Sequence, residues 1–184
     1  MILCDFHKIG RTTMPFTPLH MGAGISGKAV LQGNFSLMVF GWSQIVMDLQ
    51  PLVVMLTHEG EMHGVSHTFV GAAALGVISA VTGKYLTEWT LNFLSFGRRP
   101  QVVIRWWVAF LSALLGTFSH VLLDALIYSD MKPFFPFSYV NPLLSFGVTS
   151  YKLAMFCIYS GVAGMVLYTA IRIICLMKKR HLVR

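Results

Sequence analysis

"HEGEMHGVSHTFVGAAALGVISAVTG", residues 58–83, sets three histidines and two glutamates directly before an apolar run rich in small residues. Another apolar stretch, Phe35–Thr57, ends just ahead of it. Charged side chains are costly within a membrane, so polar groups wedged between two such stretches belong at its surface or in a paired site. Val65–Gly83, Val102–Tyr128 and Leu153–Met177 complete a set of four stretches that approach or exceed the roughly 20 residues a membrane helix needs. The 184 residues are 55% hydrophobic and 11% charged, with a mean hydropathy of +0.68. A soluble domain carries about 25% charged residues. The fold class that follows is all-α: an integral membrane helical bundle of about four long helices plus a short N-terminal helical hairpin arm.

The formal charge of +7 does not form one patch. The basic residues fall in short clusters beside the apolar segments: Arg98-Arg99, Arg105 and the tail "KKRHLVR". That is the pattern of the positive-inside rule, and it accounts for the charge without nucleic acid as a partner. No apolar stretch of signal-peptide length occurs in "MILCDFHKIGRTT", and Met14 opens "MPFTPLH". Residues 1–13 are therefore expected to be a poorly ordered extension, 14–177 the membrane-embedded domain, and 178–184 a basic tail. Cys4, Cys157 and Cys175 form no CxxC pair and read as small apolar fillers.

Thr17-Pro18 marks a helix start, and Gly33-Asn34 a turn. Leu19–Gln32 then forms a short arm that returns through Phe35–Pro51. His20 precedes the turn by about as many residues as Asp48 follows it, so at about 1.5 Å per residue both lie roughly 20 Å away, at one height. The small residues of "GAAALGVISAVTG" predict a central helix. Lys84–Gln101 reads as a basic, aromatic connection, and the run Phe134–Phe137 as an interfacial anchor. Placing the Gly33 turn, the Lys84–Gln101 connection and the C-terminus in the cytoplasm gives that side Lys28, Lys84, Arg98, Arg99, Arg105, Arg172, Lys178, Lys179, Arg180 and Arg184. The other side receives Lys8, Arg11, Lys132 and Lys152.

The same alternation gathers His20, Asp48, His58, Glu59, Glu61, His63, His67, His120, Asp124 and Asp130 at one face. His63 and His67 are four apart, as are His120 and Asp124, so each pair is expected to share a helix face. Such pairs bind one ion or two adjacent ions, and a His/carboxylate set without Cys suits Zn²⁺, Mn²⁺ or Fe²⁺. Asp48 and Asp124 have apolar neighbours, where a cation would compensate both. Alone, His120 with Asp124 reads equally well as a structural pair; His67, His20 and Asp48 at the same level turn the reading to metal. His58, Glu59 and Glu61 read as solvated loop residues rather than ligands.

Four segments, "FTPLHMGAG", "IVMDLQP", "HGVSHTFVGA" and "SHVLLDALIYSDMKPFFPFS", together resemble the motifs of the YdjM-like family, the LexA-regulated, membrane-bound metal-dependent hydrolases of the inner membrane. The resemblance spans residues 15–138. It implies metal-binding roles for His20, Asp48, His67, His120 and Asp124. Two departures stand out. Leu49-Gln50-Pro51 lies where a second acid would follow Asp48. His63 falls where the motif has Arg, and either supplies a ligand from that adjacent position or supports one from behind.

The expectation is metal-dependent hydrolysis at the outer membrane face, with a divalent ion, Zn first, in one or two copies. Membrane lipids are the expected surroundings, and a phosphoester or phosphodiester at lipid-headgroup depth the expected substrate. Glu59 or Glu61 is the candidate general base. A metal or proton transporter and a non-catalytic membrane protein with a structural metal are the alternatives.

Overall fold

The computed structural model describes residues 17–95 and 101–182 of the chain. Among these residues the regular structure is entirely helical: α1 (Thr17–Leu31), α2 (Leu37–Thr57), α3 (Phe69–Leu94), α4 (Trp106–Ala125) and α5 (Ser150–Leu182), with three short 3-10 turns. The last four are long and apolar enough to cross a membrane. The expected extension 1–13 and the Arg98-Arg99 cluster lie outside the described residues.

Local sequence accounts for most of the boundaries. Ser36 caps α2, its hydroxyl accepting the Val39 N–H, and Thr68 caps α3 by accepting the Gly71 N–H at 2.9 Å. His58, with φ +57°, ends α2 in the left-handed conformation. α3 therefore starts at Phe69, after a 3-10 turn over Val65–His67, and not at Val65. His63 and His67 consequently do not share a helix face as expected, because the capping Thr68 delays the helix until both have passed.

The expected connection Lys84–Gln101 is helical as far as Leu94. A half-buried ion pair between Lys84 and Glu88, four apart, carries the charges along one face. The Glu88 carboxylate also accepts the Ile104 N–H at 2.7 Å, tying the returning chain to α3. A Lys–Glu pair in this register reads as a loop by charge alone, yet folds as helix.

α4, rather than α3, is the most enclosed span. Ser112, Gly116, His120 and Asp124 recur every four residues and form one buried stripe. α2 runs parallel to this stripe and meets it by polar contacts. The Ser112 hydroxyl accepts the Ser36 N–H at 2.8 Å, and the Gln44 amide donates to the Gly116 carbonyl at 3.0 Å. Small side chains bring α3 alongside, with Ala80 of α3 clustered against Ala109 and Ala113 of α4 and Val39 of α2. The outer side of α3, including Val77, Ile78 and Val81, is exposed, as a lipid-facing surface would be.

The expected hairpin is present, since α1 and α2 are antiparallel around a turn at Gln32–Asn34. The chief neighbour of α1, however, is α5, which runs parallel to it. A Cβ added at Gly22 would lie 1.9 Å from the Cys157 carbonyl oxygen, so only glycine allows this approach. The Ser26 hydroxyl donates to the Ser160 carbonyl at 2.6 Å across the same seam. Cys157 is buried there as an apolar filler beside Leu123 and Leu153.

Candidate metal centre

The alternation of helices brings the C-terminal ends of α2 and α4 and the starts of α1 and α3 to one end of the bundle. His20 of α1, Asp48 of α2, His67 before α3, and His120 and Asp124 of α4 converge there. His120 Nε2 lies 3.2 Å from Asp48 Oδ1 and 3.2 Å from Asp124 Oδ2. His20 Nε2 is 3.6 Å from Asp124 Oδ1, and His67 Nε2 is 4.0 Å from Asp124 Oδ2. The His120 ring stands edge-on to both other imidazoles, with centroids 5.0 Å from His20 and 5.3 Å from His67. Donor atoms of His20, His120 and Asp124, and separately of Asp48, His67 and His120, lie within 4.8 Å of one another.

The hydrogen bonding fixes what these atoms offer. The Gln44 amide nitrogen is committed to Gly116, so its oxygen, 2.7 Å from His120 Nδ1, accepts the proton of that nitrogen. His120 Nε2 is thereby turned to both carboxylates, and in the neutral ring it presents its lone pair to them. With that ring neutral, three electron-rich atoms face each other and repel unless a positive charge, a proton on Nε2 or a metal ion, stands among them. Both nitrogens of His20 are buried without a hydrogen-bond partner. His67 Nδ1 is 2.8 Å from the Ser66 hydroxyl, which turns Nε2 to the cluster. Burial, with His120 beside it, holds the His67 imidazole down to about 4, so the ring is neutral. Imidazoles in their neutral form together with carboxylates are a donor set that fits a divalent ion of the Zn²⁺, Mn²⁺ or Fe²⁺ type.

One member of the cluster reaches the surface. The side chains of the three histidines and Asp124 are buried, whereas that of Asp48 is 26% exposed. The loop above the site is held by Gln50, at the position where the motif would carry a second acid. Its amide nitrogen donates to the Glu61 carbonyl and its oxygen accepts the Ser66 N–H, both at 3.2 Å. Gly64 makes room for it, because a Cβ there would stand 2.0 Å from the Gln50 amide nitrogen. Gln50 thus acts as a strut for the segment that carries His67.

His63 is not brought into the cluster. Its Nδ1 pairs with Asp130 Oδ2 at 2.7 Å, and its ring lies on Tyr128, centroids 4.4 Å apart. It touches the His67 ring from behind, at 5.2 Å, so its place is that of a support. Glu59 and Glu61, the expected bases, are exposed and outside the cluster, Glu61 lying 3.5 Å from Lys132 Nζ. His58 is exposed as well. The aromatic run divides: Phe137 is 88% exposed, as an anchor would be, while Phe134 packs on Phe69. Phe135 and Tyr139 line a small cavity of about 80 Å³ with Glu61, His63 and Lys132.

Reading the sequence misses Gln44, Gln50, Ser66 and Tyr128. Gln44 carried a signal, a polar residue one turn before Asp48 on an apolar helix. Tyr128 carried none. Its hydroxyl is buried without a partner, and burial, followed by the charge of Asp124, pushes its phenol up, so it stays a proton donor.

No curated protein and no solved structure matches the chain. The model of the YdjM inner membrane protein family matches residues 14–182, a stretch that contains all five converging His and Asp residues. With nearly its whole length matched, and with four helices long and apolar enough to span, the chain is a multi-pass membrane protein that belongs to the YdjM inner membrane protein family.

Proposed function

We propose that this protein is a membrane-bound metal-dependent hydrolase acting at headgroup depth on the outer face, on phosphoester or phosphodiester bonds of lipids. The observation that carries the reading is His120 Nε2, turned by Gln44 towards two carboxylates in a cluster whose one partly exposed side chain is Asp48. His20, His67, His120, Asp48 and Asp124 would hold a divalent ion, Zn²⁺ first. Such an ion, when bound, polarises a phosphoryl oxygen and lowers the pKa of a bound water towards about 7.

The protein's own groups divide the remaining work. Gln44 and Ser66 orient the two imidazoles, and Asp124 holds a buried negative charge between three of them. Asp48, the partly exposed member, faces the side from which water and substrate arrive. A site closed on every side would suit a structural ion, whereas one with an open flank suits catalysis. The phosphoester preference rests on the depth of the site, at the end of the membrane-spanning helices.

Metal content and turnover on a phosphoester panel test the reading together. The wild type is expected to hold metal and hydrolyse; Asp124→Ala is expected to lose both; His58→Ala is expected to keep both. Full metal occupancy in Asp124→Ala would remove that residue from the ligands. A metal-loaded wild type inert across the panel would favour a structural ion.

A further inference from the structure

A second site lies at the other end of the bundle. A cavity of about 360 Å³ opens between the α1–α2 turn, the end of α3 and the start of α4. Lys28 and Arg105 line it, no acid does, and Met38, Leu91, Val102 and Val108 form apolar walls. Neither cation has a carboxylate partner among the described residues. Lys28 Nζ donates to the carbonyls of Gln32 and Phe35, each at 2.7 Å, which fixes its head but leaves its charge. Arg105 gives one hydrogen bond to Asn34 Oδ1 and lies over the Trp107 ring, which likewise leaves its charge uncompensated.

Two uncompensated positive charges beside apolar walls, at the boundary of a membrane, call for an anion attached to something apolar. We infer that this cavity binds an anionic phospholipid, the phosphate between Lys28 and Arg105 and the acyl chain along the apolar walls. A zwitterionic lipid would bring its own cation to the two already present and is disfavoured. The site is independent of the metal centre, which lies at the opposite end of the same helices.

The test uses the full chain, purified in mild detergent and stripped of lipid, with binding read by native mass spectrometry. Phosphatidylglycerol is expected to be retained and phosphatidylcholine not. The double variant Lys28→Met, Arg105→Gln is expected to weaken phosphatidylglycerol binding about 30-fold, roughly fivefold for each charge. The pair Lys178→Gln, Lys179→Gln, at the end of α5, is expected to leave it unchanged. Arg105→Gln alone, at an exposed residue, tests the same point with a loss of about fivefold should the double variant fail to fold. Equal retention of both lipids, or a preference that survives at Arg105→Gln and disappears at Lys178→Gln, Lys179→Gln, would overturn the inference. So would displacement of the lipid by millimolar inorganic phosphate alone, which would make the ligand a free anion.

Discussion

Gln44 shows how much a single amide decides. Without its oxygen the His120 ring is free to flip or change tautomer, and the lone pair no longer points at Asp48 and Asp124. Outer partners of this kind are worth about 10–100-fold in metal affinity. Gln44→Leu, similar in volume, is therefore expected to weaken metal binding by about that factor while the helices stay packed, as measured by metal titration beside a melting curve. His67 gives a pH dependence. Its imidazole lies near 4 in the folded chain against about 6.5 when unfolded. The unfolded chain thus takes up this proton first, so the contribution of His67 is complete above about 6.5 and declines as pH falls to about 4. Metal-free wild type is expected to lose more melting temperature between pH 7 and 4.5 than metal-free His67→Gln does.

At the scale of elements, apolar length marked the four spans in the sequence, and helix alternation placed the five metal-binding candidates at one end. Less legible were features that depend on a partner. Lys84 and Glu88 read as a loop because their charge is visible and their pairing is not. The small residues of α3 pointed to a central helix, but centrality fell to α4, whose stripe is polar and needs burial on two sides. His63 read as a ligand or as a support for one, and the contact with Asp130 across the loop, which no local pattern announces, gives it the second place. The α1–α5 seam was equally hidden, since its glycines mean little until the other helix is known. Gly22→Ala places a methyl against the Cys157 carbonyl and is expected to cost about 1–3 kcal/mol of stability, the usual range for overpacking, as read from a denaturation midpoint. Because His20 lies two residues away, metal affinity should fall with it.

For the whole molecule, the charge distribution sets an orientation that the fold makes testable. Lys28, Lys84, Arg105 and the basic end of α5 share the end opposite the metal centre. A reporter fused after Arg184 is expected to read as cytoplasmic, and one inserted near Asp130 as external. The opposite pair of signals would move the proposed chemistry to the cytoplasmic face. The parallel seating of α1 on α5 also orders events in time. α1 precedes α5 by three spans, so His20 waits through their insertion before the helix that is its chief neighbour arrives. Until then the other four candidate ligands can assemble without it. The proposed ion would thus be held loosely until α5 is seated and tightly only afterwards, so that the proposed hydrolysis would wait for a fully inserted bundle.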